Sequence, residues 1–282
     1  MFMKRKATAL FAAILCCCNV MVAQTVYTCS DSIRVEEILQ QMDGRLPQER
    51  ICGIASLFVG VPYVPSTLDS VGCERLVVNT RQMDCTTFVE TTVALALAEY
   101  GDGCFGAFCM NLMKIRYRNA CCGTYSDRLH YISQWVDDNE QKGIVEEIVG
   151  KAHVATQELN LNFMSTHPQS YAQLNGNASA VAEIAGYETA YRNLKVKYIP
   201  KELLDAPKTE LGIEDGDILA IVTAIKGLDV THVGFANWTD GRLHLIHASS
   251  GKGMVVMDDV PLYDYMKGKK NNLGIRVIRV KL

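Results

Sequence analysis

Apolar and polar positions change rhythm along the chain. In the first third, apolar residues recur at helical spacing. Ile33, Val35, Ile38 and Leu39 fall near one stripe and predict a helix over 32–42. A second short helix is predicted over 50–59, stopped by Gly60-Val61-Pro62. A third is predicted over 86–100, where Phe88, Val89, Val93 and Ala96 share a face. The middle, 104–210, reads mainly as helices and loops, with helical stretches at 108–117, 128–139, 170–175 and 178–191. After Pro207 the texture becomes β-rich. Short runs at 218–223, 231–236, 243–248, 254–257 and 275–280 are split by Gly, Asp and Lys. Helices first and an antiparallel sheet afterwards predict an α+β fold.

One hairpin is defined closely enough to test. Asp240-Gly241 lies between two β runs, the strongest short-range hairpin signal. A two-residue loop there sets Thr239 opposite Arg242 and Gly234 opposite His247. His232 then lies one diagonal step from His247 on the same side of the sheet, about 7–8 Å away at the backbone. His244 falls on the other side. Gly234 leaves room for the imidazole it faces.

Composition bounds the class. The chain has 282 residues, 49% hydrophobic and 21% charged, which suits a globular body of one large domain. Lys4, Arg5 and Lys6 precede an apolar run over 7–22 that ends at Ala23. The run is too short for a comfortable membrane span and reads as a cleaved export signal over 1–23. A lipid anchor at Cys16, Cys17 or Cys18 is the weaker alternative, because none of them follows Gly, Ala or Ser. No other stretch predicts a transmembrane segment. Loss of 1–23 removes three positive charges and takes the net charge from −3 to −6, which argues against a nucleic-acid partner. Export to the periplasm permits disulfides among the eight remaining cysteines, but spacing assigns none.

Cys85 is the candidate nucleophile. Asp84 suits the N-cap of the helix that follows. Cys85 then sits in the first turn, where the helix dipole favours a thiolate. Its own N–H is a ready oxyanion donor. A thiol at a helix start, an imidazole to take its proton and a second polar group to orient that imidazole form the Cys–His–X arrangement of nucleophilic catalysis. His232 and His247 supply the last two. Taken singly, each is as well read as a buried cysteine or a satisfied sheet histidine. A zinc site built from the same three residues is the rival, with no Cys-x-x-Cys pair to support it.

Gly60-Val61-Pro62-Tyr63 followed by Asp84-Cys85-Thr86-Thr87-Phe88-Val89 resembles the start motif of the NlpC-type cell-wall cysteine peptidases, a papain-like superfamily. Gly216-Asp217-Ile218, His232-Val233-Gly234 and Ile246-His247-Ala248 resemble that family's later motifs, in order. The wording around Cys85, 227–232 and His247-Ala248-Ser249-Ser250 is similar to the N-acetylmuramoyl-L-alanine amidase-like branch, over nearly the whole mature chain. The resemblance implies a papain-like domain over 24–282, with helices packed on a C-terminal sheet and a helical insertion over 99–212 that sets substrate specificity. It implies Cys85 as nucleophile, His232 as general base and acid, His247 as orienting residue, and Tyr63 at the oxyanion or substrate. The expected reaction cuts the amide between N-acetylmuramic acid, intact or in the 1,6-anhydro form, and L-alanine of the stem peptide. No cofactor and no metal are implied; the partner is peptidoglycan or a soluble muropeptide.

Within the insertion, Arg128 suits a stem-peptide carboxylate through a bidentate pair. Tyr131, Trp135, Tyr171 and the turn at 165–168 are further expected contacts. Thr86-Thr87 in place of the usual Ser-Gly, and a long stretch between Tyr63 and Cys85, set this chain apart from the common endopeptidases. A γ-D-glutamyl endopeptidase and a non-catalytic wall-binding module are the alternatives.

Overall fold

The structure is a computed structural model that describes residues 25–45, 47–69, 73–101, 103–149 and 154–282. The expected export signal at 1–23 lies outside the described residues.

Helices form where sequence supplies both a cap and an apolar face. Helix α1 (Cys29–Gln41) begins at Thr28, whose N–H and hydroxyl both donate to Asp31 Oδ2, and it buries Val35, Ile38 and Leu39. Helix α2 (Pro47–Leu57) opens on a proline, whose missing N–H costs nothing in a first turn. Helix α3 (Cys85–Ala96) is fixed by a reciprocal cap. The Thr87 N–H donates to Asp84 Oδ1 at 2.8 Å, and the Asp84 N–H donates to Thr87 Oγ1 at 2.9 Å. Every residue of α3 from Thr87 to Ala96 is buried, the mark of a central helix. Phe88 lies between Phe58 and Phe235, centroids 6.3 and 5.5 Å away and nearly perpendicular. The one carboxylate on this helix, Glu90, meets Arg116 at 2.6 Å with both side chains buried; Arg116 ends helix α4 (Cys104–Arg116). Helix α5 (Ile132–Gln141) completes the layer.

Among the described residues the sheet has eight antiparallel strands: β1 (Val145–Ile148), β2 (Ala155–Asn160), β3 (Arg192–Pro200), β4 (Ile218–Thr223), β5 (Val230–Thr239), β6 (Arg242–Ser249), β7 (Met254–Met257) and β8 (Asn272–Val280). Their order is β2-β3-β8-β4-β5-β6-β7, with β1 also pairing β8. All six residues of β4 are buried because both faces of the sheet are covered. Ile218 and Ala220 face the helices with Val233, Phe235 and Ile246. Leu219 and Ile221 face a second core with Leu211, Ile213, Leu262 and Met266. Helix α6 (Phe163–Thr166) and helix α7 (Ala178–Thr189) belong to a lobe with its own small core of Tyr131, Leu159, Leu161, Met164, Leu174, Ile184 and Val196.

The expected hairpin register holds: Thr239 pairs Arg242 and Phe235 pairs Ile246. Asp240 (φ 50°) and Gly241 (φ 75°) both take left-handed backbone, as a twist-matched two-residue turn requires. The five strands read after Pro207 are all present. The segment 99–212, however, is not the helical insertion expected: it holds β1, β2 and β3. Leu194, Val196 and Tyr198 alternate with Lys195 and Lys197 in β3, a period-two pattern that the adjoining helix disguises in the sequence. The stretch 171–176 is turn rather than helix, and 128–131 is extended before α5 begins at Ile132.

Candidate active site

Cys85 is the first residue of α3 and is a free, half-buried thiol. Its sulfur lies near the backbone N–H of Val233, the residue after His232, and near Thr86, both of which favour the thiolate. The β5–β6 pairing runs from the turn to Phe235↔Ile246 and goes no further among the described residues. The strands part at that point, and the N-terminal turn of α3 meets β5 there.

Across the gap between β5 and β6, His232 Nε2 lies 2.6 Å from His247 Nδ1, rings 4.8 Å apart and nearly perpendicular. His247 Nε2 lies 3.2 Å from Asp258 Oδ2. Both nitrogens of His247 are therefore taken by protein partners, which leaves it none for a zinc ion. With Nε2 of His232 engaged, its Nδ1 has no hydrogen-bond partner among the described residues. Gly234 permits this approach: a Cβ there would come within 2.8 Å of His247 Cβ and 2.9 Å of the Ile246 carbonyl.

Tyr63 reaches the same place from the sheet edge. The Tyr63 N–H donates to the Gly253 carbonyl, and Tyr63 bridges Met83 in parallel, two residues before the thiol. Burial pushes the Tyr63 phenol up, and the neighbouring Cys85 and Asp84 add to that.

Electrostatics reverse one expectation. A helix start favours a thiolate, yet burial, with the Asp84 carboxylate adding to it, pushes the Cys85 thiol up to about 11 against the opposing hydrogen bonds. Burial, then His247 and Lys269, pushes His232 down to about 3. Burial likewise lowers His247. Near pH 7 the thiol and both imidazoles are neutral, and no thiolate–imidazolium pair is stored in the resting protein. Thiolate appears only as pH rises toward about 11. Iodoacetamide labelling of Cys85, followed on its own peptide by mass spectrometry, is therefore expected to be slow at pH 7 and to accelerate continuously up to pH 10. A labelling rate already at its plateau by pH 7 would show a stabilised thiolate instead.

The residues expected to grip substrate fare differently. Arg128 is buried and spent within the chain. Its Nε and Nη2 donate to Glu74 at 2.6 and 2.9 Å, Nη1 donates to Asp69 at 3.1 Å, and Nη2 also reaches the Leu68 carbonyl. The two carboxylates it holds belong to its own chain, which corrects the expectation that its donors are free for a stem-peptide carboxylate, although Arg128 still lines the cleft beside Asp84. Tyr131 is also buried, donating to Glu188 Oε1 at 2.7 Å and accepting from the Met164 N–H, so it holds the lobe together rather than facing substrate. Trp135 is a core residue. The lobe still meets the helix start: one cleft is lined by Asp84 and Thr86 on one side and Tyr125, His130 and Tyr171 on the other. Asp258 escaped sequence reading, since a lone aspartate after a short strand carries no signal of its own.

Residues 53–275 match the model of the AmiA-like family, described as N-acetylmuramoyl-L-alanine amidase-like. A crystal structure of an N-acetylmuramoyl-L-alanine amidase from Bacteroides uniformis is 37% identical, with 84% of this chain and 99% of that one covered and a TM-score of 0.78. A Bacteroides fragilis protein named as a candidate xylanase is 40% identical over 80% of this chain and 98% of that one, TM-score 0.75. A Legionella pneumophila protein, 23% identical over 89% and 94%, shares the fold with a TM-score of 0.70. No protein among curated sequences matches.

Proposed function

The chain belongs to the N-acetylmuramoyl-L-alanine amidase-like family, and from that premise we propose that it is an exported, papain-like cysteine amidase that splits muramic acid from L-alanine in peptidoglycan or its soluble fragments. The observation that carries this reading is the 2.6 Å contact between His232 Nε2 and His247 Nδ1. It leaves Nδ1 of His232 as the unengaged nitrogen, on the residue next to Val233, whose N–H lies near the Cys85 sulfur.

In this reading the sulfur attacks the lactyl carbonyl carbon of muramic acid while its proton passes to His232 Nδ1. Transfer accompanies attack, because thiol and imidazole start neutral. The Cys85 N–H at the helix start, together with Tyr63, holds the oxyanion; one such donor is worth about 2.7–4 kcal/mol. His232 returns the proton to the alanine nitrogen as the carbon–nitrogen bond breaks, leaving a thioester. Water, deprotonated by His232, then releases the muramic acid carboxylate and restores the thiol.

Glycoside cleavage, the chemistry in the name of the Bacteroides fragilis relative, needs two carboxyl groups flanking the bond. The carboxylates beside the nucleophile are otherwise committed: Asp84 caps Thr87 and Glu90 pairs Arg116. Amide cleavage suits the site better.

Product masses decide the bond. Purified muropeptides with a reducing or a 1,6-anhydro end are incubated with the protein and analysed by mass spectrometry. The expected products are a stem peptide beginning with L-alanine and the free sugar acid, together one water heavier than the substrate. A peptide lacking L-alanine and D-glutamate would make the protein an endopeptidase acting further along the stem. Intact substrate would favour a wall-binding module. The sugar end that turns over faster identifies the natural form.

A further inference from the structure

We propose that Asp258 is a positioning residue that dictates, through His247, which nitrogen of His232 carries the proton. The kinetic side of this inference rests on the cysteine-amidase reading; its spectroscopic side does not.

Asp258 sits just beyond β7 and is held on every polar atom. Its N–H donates to the Leu245 carbonyl at 2.8 Å, and its own carbonyl accepts from His244 Nδ1 at 2.9 Å. Oδ1 accepts from Lys252 Nζ and from the Val260 N–H, both at 3.1 Å. Oδ2 is left for His247 Nε2 at 3.2 Å. Burial alone would raise this carboxyl, but the Val260 N–H, Lys252 and His247 together hold it below the usual range, so it is an acceptor only. The His247 ring also stands perpendicular to the Tyr265 ring, centroids 5.8 Å apart, and Lys269 Nζ sits 3.2 Å from the centroid of the Tyr265 ring.

The rest follows from hydrogen-bond arithmetic. A carboxylate facing His247 Nε2 requires a proton on Nε2. A neutral imidazole then has a bare Nδ1, so the 2.6 Å contact must be donated by His232 Nε2–H. A neutral His232 protonated on Nε2 has its lone pair on Nδ1, the unengaged nitrogen that the mechanism needs as base. In the opposite tautomer His232 would present an N–H there and could not take a proton.

Asp258→Asn turns the relay round with almost no change of shape. Lys252 and the Val260 N–H both donate to the Oδ1 position, so the amide oxygen stays there and the NH2 group takes the Oδ2 position. It then faces His247 Nε2, which must give up its proton. His247 becomes the donor through Nδ1, and the proton of His232 moves to its own Nδ1. Making the orienting carboxylate of a catalytic triad an amide costs about 10⁴-fold through the same tautomer error.

The test measures Asp258→Asn, with Asp259→Asn as control because Asp259 is exposed and also pairs with Lys252. The expected result is a kcat lower by about 100- to 10,000-fold with KM within threefold, while the control matches wild type. Imidazole ¹⁵N spectra should show wild-type His232 and His247 both protonated on Nε2, and both moved to Nδ1 in the variant. A folded variant with kcat within threefold of wild type, or with wild-type tautomers, overturns the proposal. So does a wild-type spectrum with His232 protonated on Nδ1, which decides the matter even should the variant fail to fold. Absence of any muropeptide turnover by wild type would sink the amidase reading, while the spectra would still judge Asp258.

Discussion

Cys85→Ala is expected to reduce kcat on muropeptides by about 10⁶-fold, the scale seen when a covalent nucleophile is removed. Folding should survive. Cys85 is half-buried and its helix is nucleated by Asp84 and Thr87, not by the thiol. The loss of one sulfur is worth about 1 kcal/mol, or roughly 2–4 °C in Tm for a domain of this size. His232→Ala should cost nearly as much as Cys85→Ala, and the double variant little more than either, because members of a catalytic unit are not additive. Turnover assays with circular dichroism melts check all three. Cys85→Ala protein that is folded and within tenfold of wild type would remove the nucleophile and the mechanism with it.

Gly234→Ala is expected to lower kcat by about 100-fold through one methyl group. The atoms a Cβ would meet are His247 Cβ at 2.8 Å and the Ile246 carbonyl oxygen at 2.9 Å. Neither is the tip of a flexible side chain, so β6 must shift bodily. His247 rides on β6 and holds His232 at 2.6 Å, so the shift falls directly on the imidazole that the proposed mechanism brings to the sulfur. Misplacement of about 1 Å is worth about 10²-fold in rate. The thiol itself does not move, so labelling of Cys85 at pH 9 should stay near the wild-type rate. Wild-type kcat in this variant would show that the two imidazoles need not touch.

Much of the site was legible because its parts obey local rules. Asp240-Gly241 sets the hairpin parity, and parity alone places His232 and His247 on one side of the sheet. Asp84 marked the helix start that carries Cys85. What could not be read depends on partners distant in sequence. Arg128 looks like a carboxylate clamp on its own, but the carboxylates it meets stand 54 and 59 residues earlier. Tyr131 is consumed by Glu188, 57 residues later. The thiol pKa turned on burial, which outweighs the helix dipole that sequence did reveal. Of the five late strands all were visible, since alternating or continuous apolar runs stood between turn residues. In the middle, Glu146, Glu147, Lys195 and Lys197 masked short strands as polar segments.

From Thr87 onward the helix that carries Cys85 is sealed on all sides, with even its one carboxylate locked to Arg116. A rod wedged into the interior in this manner cannot swing to suit different guests. Diversification toward new wall chemistries would therefore be written into the outer module that shares the cleft, around Tyr125, His130 and Tyr171. The catalytic chassis would pass unchanged from one specificity to the next.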